Sequence, residues 1–536
     1  FTNILLHAAN ASLFYLLLVC LLKRLFPGGT EEEFVFPAVL GALVFSIHPL
    51  RVESVAWVTE RRDVLSGFFS LGTLLAYANY VRLGALGMGR GSQRGWYAGA
   101  VVLFGGALLS KSTVAPLAGV LLLLDVYPWR RFQEPGTRWA RLLAEKVPFF
   151  VLGAAASYGM IQATLAIDSL RSLEHFSVAS RGSCVAWSLA YYVWKTAFPV
   201  HLSPIYASTG IVHFSEWAFV FWVLIALVTL SAVFLRRRWP GVLAAWGYSL
   251  LMLSPSLGIA DSVSLMQDRY SYLANLGWSV ILASGLLSWR RKTAVGGGRR
   301  FFWGGVILSV ALLATYATLT IRQLRIWKNS ESLWRRALDC NPDSDIANEN
   351  YGLTLAQSGR HEEAIGYYQK SYAIYPRCPV VVNNMGDALL RLKKPLEALP
   401  WFQAALRLRP DSHQTVFNLG VVYFVLNRWT EAVPHFQRAL EINSRYAPAH
   451  NKLGIAMARL GRWDRAAEHL RDAFLLETRF ADDYLKLGDF ASRQGLRSEA
   501  RRIYAEILEK KPDARDVRAR LNALAPDDPR RLRQVF

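Results

Sequence analysis

Up to about Ile321 the chain alternates long apolar stretches with short basic loops; beyond it a charged, amphipathic pattern takes over. The apolar segments run near 4–22, 34–48, 64–81, 96–126, 148–166, 183–200, 217–235, 240–259, 272–289 and 301–321. A helix needs roughly 17–25 apolar residues to cross a bilayer, and no stretch after Ile321 offers that many. The run from Trp96 to Tyr127 is too long for one ordinary span and is interrupted by Ser110-Lys111-Ser112. Because a lysine at mid-bilayer is costly, the pattern predicts two spans meeting at a turn around Lys111.

Composition sharpens this division. The chain is 53% hydrophobic yet carries 61 Lys and Arg against 40 Asp and Glu, a formal charge of +21. Such a balance suits a nucleic-acid binder until the positions are read. Lys23-Arg24, Arg90 and Arg94, Arg130-Arg131, Arg236-Arg237-Arg238 and Arg290-Arg291-Lys292 each flank an apolar run. That is the positive-inside arrangement of a polytopic membrane protein. With every basic loop on one side, the stretch His48–Asp63 and the turn at Lys111 fall on the other, as does the loop after Ala166. A full crossing by 183–200 would put Arg236–Arg238 on the wrong side. That segment, with Tyr191-Tyr192-Val193-Trp194-Lys195-Thr196, is therefore expected in the interface or re-entrant. Ten crossings remain, with the C-terminal part on the non-cytoplasmic side. The chain opens at Phe1 inside an apolar segment, which leads us to expect a fragment lacking its N-terminal part. Cys20, Cys184, Cys340 and Cys378 have no metal-ligand or redox spacing.

Beyond the apolar half a period appears. Gly352, Gly386, Gly420, Gly454 and Gly488 lie 34 residues apart, and Ala364, Ala398, Ala432, Ala466 and Ala500 keep the same step. A 34-residue repeat is the tetratricopeptide (TPR) helix–turn–helix unit. The small residues let paired helices approach closely. The fold class expected is thus all-α: a polytopic transmembrane helical bundle over 1–323, a TPR α-solenoid over 324–525, and a basic tail over 526–536. Such solenoids present a concave surface suited to an extended peptide or a helix. Asn350, Asn383, Asn384, Asn418 and Asn451 on the first helix of each unit are candidates to hold an acceptor peptide backbone, or to bond between repeats. A plain spacer is the competing reading.

Three clusters on the non-cytoplasmic side carry ionisable groups beside apolar spans: "HPLRVESVAWVTERRDVLSGFF" with His48, Glu53, Glu60, Arg61, Arg62 and Asp63; "LLSKSTVAPL" with Lys111; and "SPSLGIADSVSLMQDRYSYL" with Asp261, Asp268, Arg269 and Tyr270. Ionisable residues at a membrane boundary are candidates for function. Arg forks and a Lys point charge suit an anionic phosphate headgroup, such as that of a polyprenyl phosphate. The sequence has no Walker loop, Rossmann glycine fingerprint, metal-ligating His/Cys motif or nucleophile elbow.

The stretch "HPLRVESVAWVTERRDVLS" resembles the signature of the transmembrane and TPR-containing (TMTC-type) O-mannosyltransferases and their bacterial relatives. "LLSKSTVAPLAGVLLLLDVYP", "WKTAFPVHLSPIY" and "QDRYSYLANLGW" extend the resemblance in the same order, ahead of the repeats. Glu60 and Ser112 depart from the family pattern. The resemblance implies a GT-C-like glycosyltransferase. Such an enzyme moves a sugar, mannose or another hexose, from a polyprenyl- or dolichyl-phosphate donor to Ser or Thr of a protein. On this view Arg269, Lys111, Arg61 and Arg62 bind the donor phosphate. His48, Glu53, Asp63, Asp268 and Tyr270 shape the site, and the TPR groove takes the acceptor. The catalytic base of such enzymes lies in an earlier external loop, expected upstream of Phe1, so the chain alone is expected to be inactive. No metal and no cofactor beyond the lipid-linked donor is implied. The expected location is a bacterial inner membrane with periplasmic repeats, or alternatively the endoplasmic reticulum with lumenal repeats. The competing functional reading is a non-enzymatic TPR membrane scaffold for envelope assembly. A transporter is disfavoured because the charges gather at one side and not at the midplane.

Overall fold

The structure, a computed structural model, describes residues 1–87, 89–136, 138–166, 178–206, 214–257, 266–295 and 299–524. Asp261, the loop after Ala166 and the basic tail 526–536 lie outside these. Every regular element among the described residues is helical, as the apolar runs and the 34-residue period require. The chain divides into two compact units, Phe1–Ala347 and Asn348–Phe536.

The first unit begins with α1 (Thr2–Leu25), α2 (Glu31–Ile47) and the short α3 (Val52–Ala56), followed by α4 (Arg61–Ala85) and α5 (Arg90–Ser110). α4 packs lengthwise on α5 and α1, and α1 also packs on α2. Next come α6 (Leu117–Val126), α7 (Trp139–Ala144), α8 (Val147–Ala166), α9 (Val178–Ala197), α10 (Phe214–Phe234) and α11 (Pro240–Leu253). The unit closes with α12 (Ser271–Ala274), α13 (Leu276–Val295), α14 (Arg299–Ile326) and α15 (Ser330–Cys340). Phe14, Leu18, Phe45, Val64, Leu71, Phe104 and Leu121 are buried in one continuous core. Its outer helices expose apolar side chains instead, among them Trp217, Phe219, Leu230, Ile307 and Leu308. An aqueous surface rarely carries so much apolar area, whereas hydrocarbon covers it at no cost.

Among the described residues, four helices are long and apolar enough to cross a membrane: Thr2–Leu25, Val58–Ala85, Trp217–Arg237 and Trp303–Ile326. The bent pairs Glu31–Ile47 with Pro49–Ala56 (53°) and Asp268–Ala274 with Leu276–Thr293 (50°) raise the number to six. The ten crossings read from apolar runs exceed this, in part because a run counts residues while a helix break shortens the axis. The expected break at Lys111 is present, and it leaves α6 with 10 residues; α11 has 14. At roughly 1.5 Å per residue neither reaches across a hydrocarbon core about 30 Å thick. α9, formed by the segment expected to re-enter, is not among the helices that meet the length and apolarity requirement.

The second unit is regular. Its helix pairs are α16 (Asp345–Gln357) with α17 (His361–Ile374), α18 (Pro379–Arg391) with α19 (Pro395–Leu408), and α20 (His413–Val425) with α21 (Trp429–Ile442). Then follow α22 (Ala447–Arg459) with α23 (Trp463–Leu476), α24 (Ala481–Arg493) with α25 (Arg497–Lys510), and a last helix α26 (Arg515–Ala523). Both helices of each pair start 34 residues after their counterparts. A Cβ on Gly352, Gly386, Gly420, Gly454 or Gly488 would lie 2.7–2.8 Å from Tyr368, Phe402, Phe436, Leu470 or Tyr504 respectively. Only glycine lets the aromatic or leucine of the second helix seat there. The five periodic alanines are fully buried beside them. Within each pair the turn passes through a left-handed residue, at Gly359, Lys393, Asn427, Gly461 and Gly495, which ends the first helix by an αL cap.

Candidate functional site

Three helix breaks build the candidate site. Pro49 cannot continue α2, and it forces the preceding His48 into extended backbone (φ −68°, ψ 133°). The chain then passes through a 3₁₀ turn, α3 and a second 3₁₀ turn at Val58–Glu60 before α4 starts at Arg61. Lys111 is extended (φ −158°) between α5 and a 3₁₀ turn. A fourth 3₁₀ turn, Asp268–Tyr270, precedes α12 and α13. Each break frees the backbone from the helical repeat and lets consecutive charged side chains point to one locus.

There Arg269 donates from Nη1 to Glu53 Oε1 at 2.7 Å, and its backbone N–H donates to Glu53 Oε2 at 3.1 Å. Arg269 Nε lies 3.6 Å from Glu60 Oε1 and has no hydrogen-bond acceptor. Arg62 grips Glu60 bidentately, 3.1 Å at each contact. Lys111 pairs with Asp63, whose second oxygen accepts from Ser54 Oγ at 3.3 Å. Tyr270 lies beneath both cations, 5.4 Å from Lys111 Nζ and 5.5 Å from the Arg269 guanidinium, while Trp57 faces Arg269 at 5.0 Å. A cavity of about 30 Å³, room for about one water, opens among Asp63, Ser66, Lys111, Thr113, Arg269 and Tyr270. Glu53 and Asp63 are buried, whereas the Arg62 side chain is 56% exposed. Arg61 is exposed beside it.

The structure thus brings Glu53, Arg62, Asp63, Lys111, Arg269 and Tyr270 together. Asp268 is buried, with Oδ1 accepting from Tyr191 at 2.7 Å and Tyr206 at 3.0 Å. His48 stands apart. Its Nδ1 accepts from Leu50 N–H at 3.3 Å, its Nε2 donates to Thr196 O at 3.1 Å, and the ring packs on Tyr316. With both nitrogens engaged, His48 pins the break after α2. In the repeats, Asn350, Asn384 and Asn418 occupy one register position, and Asn383 and Asn451 the position before it. Asn418 donates to Asn383 Oδ1 at 3.1 Å and Asn451 to Asp483 at 2.9 Å. Asn383 and Asn451 are buried, so these bonds join neighbouring repeats.

Sequence reasoning did not single out Tyr206 or Arg51. Arg51 is buried over Phe45 and Tyr272 and donates to Ser271 at 3.0 Å. Nor did it find a second charged knot. Lys146 Nζ meets Asp125 at 2.7 Å, and Arg131 bridges Asp125 (3.2 Å) and Glu145 (2.8 Å). Tyr77 donates to Asp125 at 2.8 Å. Fourteen residues of α4 separate Asp63 from Tyr77, about 21 Å along the axis, so the knot lies well away from the first cluster. A separate cavity of about 700 Å³ is walled by Phe14, Leu21, Leu124, Tyr248 and Val280, with Arg238 and Lys292 also lining it. Its walls suit hydrocarbon.

An apolar helical unit with a buried charge cluster at its helix breaks, followed by a TPR array, defines a TPR-containing multi-pass membrane protein. Tetratricopeptide repeat family models match residues 323–377, 381–412 and 411–480. The human protein O-mannosyl-transferase TMTC1 is 26% identical over 428 residues, covering 70% of this chain and 46% of the relative. Its mouse counterpart is 27% identical over 164 residues, 30% of this chain and 17% of the relative. The Drosophila melanogaster protein of the same name is 30% identical over 101 residues, 19% of this chain and 11% of that protein. The relatives support a TMTC-type, TPR-containing family for the chain, which spans about half the length, or less, of the curated relatives it matches. Among solved structures, the TPR protein YrrB aligns at 22% identity over 34% of this chain and 95% of its own, with a TM-score of 0.29. A thermophilic TPR protein of Thermus thermophilus aligns at 24% identity over 34% of this chain and 98% of its own, with a TM-score of 0.28.

Proposed function

We propose that this chain belongs to a membrane glycosyltransferase that moves a sugar, mannose by the relatives' names, from a polyprenyl-phosphate donor to Ser or Thr of a protein held by the repeats. The observation that carries this reading is Arg269. It is a buried guanidinium whose Nε–H makes no hydrogen bond, the Glu60 carboxylate standing 3.6 Å away, beside a small cavity that Lys111 also lines. A buried donor without an acceptor is costly, by about 1–3 kcal/mol, and an incoming phosphate oxygen removes that cost. In the transfer, the bond from sugar C1 to the phosphate oxygen breaks and a bond from C1 to the acceptor oxygen forms. The hydroxyl proton passes to a base, and the leaving lipid phosphate gains negative charge. Arg269 and Lys111 stabilise that charge, and exposed Arg61 and Arg62 gather the anion at the rim. Glu53 and Asp63 hold the two cations in place until the phosphate arrives. The repeats lie on the non-cytoplasmic side, in the periplasm or in the lumen.

The test measures sugar transfer from a panel of polyprenyl-phosphate sugars to periplasmic or lumenal proteins by the full-length protein and its Arg269→Ala variant. Transfer by the first and not the second supports the enzyme. Absence of transfer from every donor, with partner proteins still captured by the repeats, replaces it with the membrane scaffold.

A further inference from the structure

One helix pair of the repeat unit holds a group that no motif spacing in the sequence announces. His450 on α22 and His469 on α23 face each other with their Nδ1 atoms 3.2 Å apart. Asp472, three residues beyond His469 on the same face of α23, brings a carboxylate oxygen to 3.8 Å from His450 Nδ1. All three ligand atoms lie within 4.8 Å of one another, and no other group of three His, Cys, Asp or Glu does so among the described residues.

Two imidazole nitrogens at that distance either share one proton or aim two lone pairs at a common cation. His450 is fixed from outside the group. Its Nε2 donates to the carbonyl of Ser444 at 3.0 Å, so the proton resides on Nε2 and Nδ1 presents a lone pair. Metal-ligating histidines are oriented in this way, by a second nitrogen donating to a backbone carbonyl. His469 faces His450 from α23, its ring centroid 5.3 Å from that of His450. Glu468 adds negative charge near His469 and Arg465 adds positive.

The distances fit a small tetrahedral ion. Bonds of about 2.0–2.2 Å give ligand–ligand edges of roughly 3.3–3.6 Å. The observed 3.2 and 3.8 Å bracket that edge. The longer one involves the half-exposed Asp472 side chain, which is free to swing inward. Two imidazoles and one carboxylate are a donor set for Zn²⁺ and its neighbours, not for Ca²⁺ or Mg²⁺.

We propose that His450 Nδ1, His469 Nδ1 and the Asp472 carboxylate form a binding site for a divalent transition-metal cation of the Zn²⁺ class, with the fourth coordination position open to solvent. The cation ties the two helices of this repeat together and leaves one position for a donor from outside. This site is independent of the glycosyltransferase reading.

The test titrates the full chain, purified in detergent and stripped of metal, with Co²⁺ and follows the visible absorption of the ion. The expected result is one equivalent with the intense bands of a four-coordinate site, displaced by Zn²⁺. His450→Asn and His469→Asn should each abolish the bands. His435→Asn, whose ring stacks on Tyr423, should leave them unchanged. No bands in the unaltered chain overturns the proposal and leaves a proton shared between the two rings; bands that persist in both histidine variants overturn it too. Should those variants misfold by circular dichroism, Asp472→Asn decides at an exposed position. Weaker Co²⁺ binding there supports the site, and unchanged binding refutes it.

Discussion

A double-substitution cycle on Glu53 and Arg269 separates a structural ion pair from a donor site. Glu53 is 1% exposed and accepts from Arg269 twice, at 2.7 Å from the side chain and 3.1 Å from the backbone. Removing one member of a buried pair leaves the other charge uncompensated and costs about 3–5 kcal/mol. Glu60, 3.6 Å from Arg269 Nε, remains after Glu53→Gln, so the lower end, about 3 kcal/mol, is expected. If local opening controls amide exchange, that corresponds to exchange roughly a hundredfold faster in the segment around Arg269, read by hydrogen–deuterium exchange in detergent. Arg269→Gln alone strands Glu53 and should act similarly. The double variant Glu53→Gln/Arg269→Gln replaces both charges by amides, one isosteric with Glu53 and one shorter than Arg269, so exchange should return to within about tenfold of the original. Sugar transfer should stay lost in the double variant, because folding has recovered but the cation that meets the leaving phosphate has not. A double variant that transfers sugar at the original rate would refute the donor role of Arg269. Single variants that exchange like the parent would refute the energetics.

Three further outcomes are expected. Lys146→Met leaves Asp125, fully buried, with only Arg131 and Tyr77, a loss of about 3 kcal/mol. Trypsin should then cut at Arg130, Arg131, Arg138 or Arg141 at least about tenfold faster, and unchanged cleavage would contradict the knot's role. Gly420→Ala places a methyl 2.7 Å from the buried Phe436 ring. It should destabilise the repeats by about 1–3 kcal/mol, seen as a lower thermal midpoint of the helical signal. Lys393 holds φ +59° where Gly359, Gly461 and Gly495 occupy the same turn. Lys393→Gly should raise that midpoint, since the left-handed conformation costs a side-chain-bearing residue about 1 kcal/mol.

Legibility in the sequence followed the range of the forces. The TPR array was fully readable because Gly386 and Phe402, or Ala398 and its neighbours, interact within one unit and recur every 34 residues. The break at Lys111 was readable because an amine inside an apolar run is locally costly. The stretches bearing Glu53, Lys111 and Arg269 stood out as charge beside apolar spans. Their pairing did not, since Glu53 and Arg269 are 216 residues apart. Lys146 was not singled out in the sequence, and only the packing of α4, α6 and α8 seats it on Asp125. The repeated asparagines carried two readings, and at Asn383, Asn418 and Asn451 the structure bonds them between repeats.

The sequence by itself determined helix against strand, the division into an apolar bundle and a periodic solenoid, and which stretches carry unusual charge. Each of these depends on residue type and on spacing within a few helical turns. The tertiary structure alone decided which carboxylate meets which cation, that Tyr191 and Tyr206 hold Asp268, and that His450 faces His469. Hydrogen bonds and buried charge pairs act over about 3–4 Å of space. Nothing in the order of residues along a chain specifies that distance until the helices have packed.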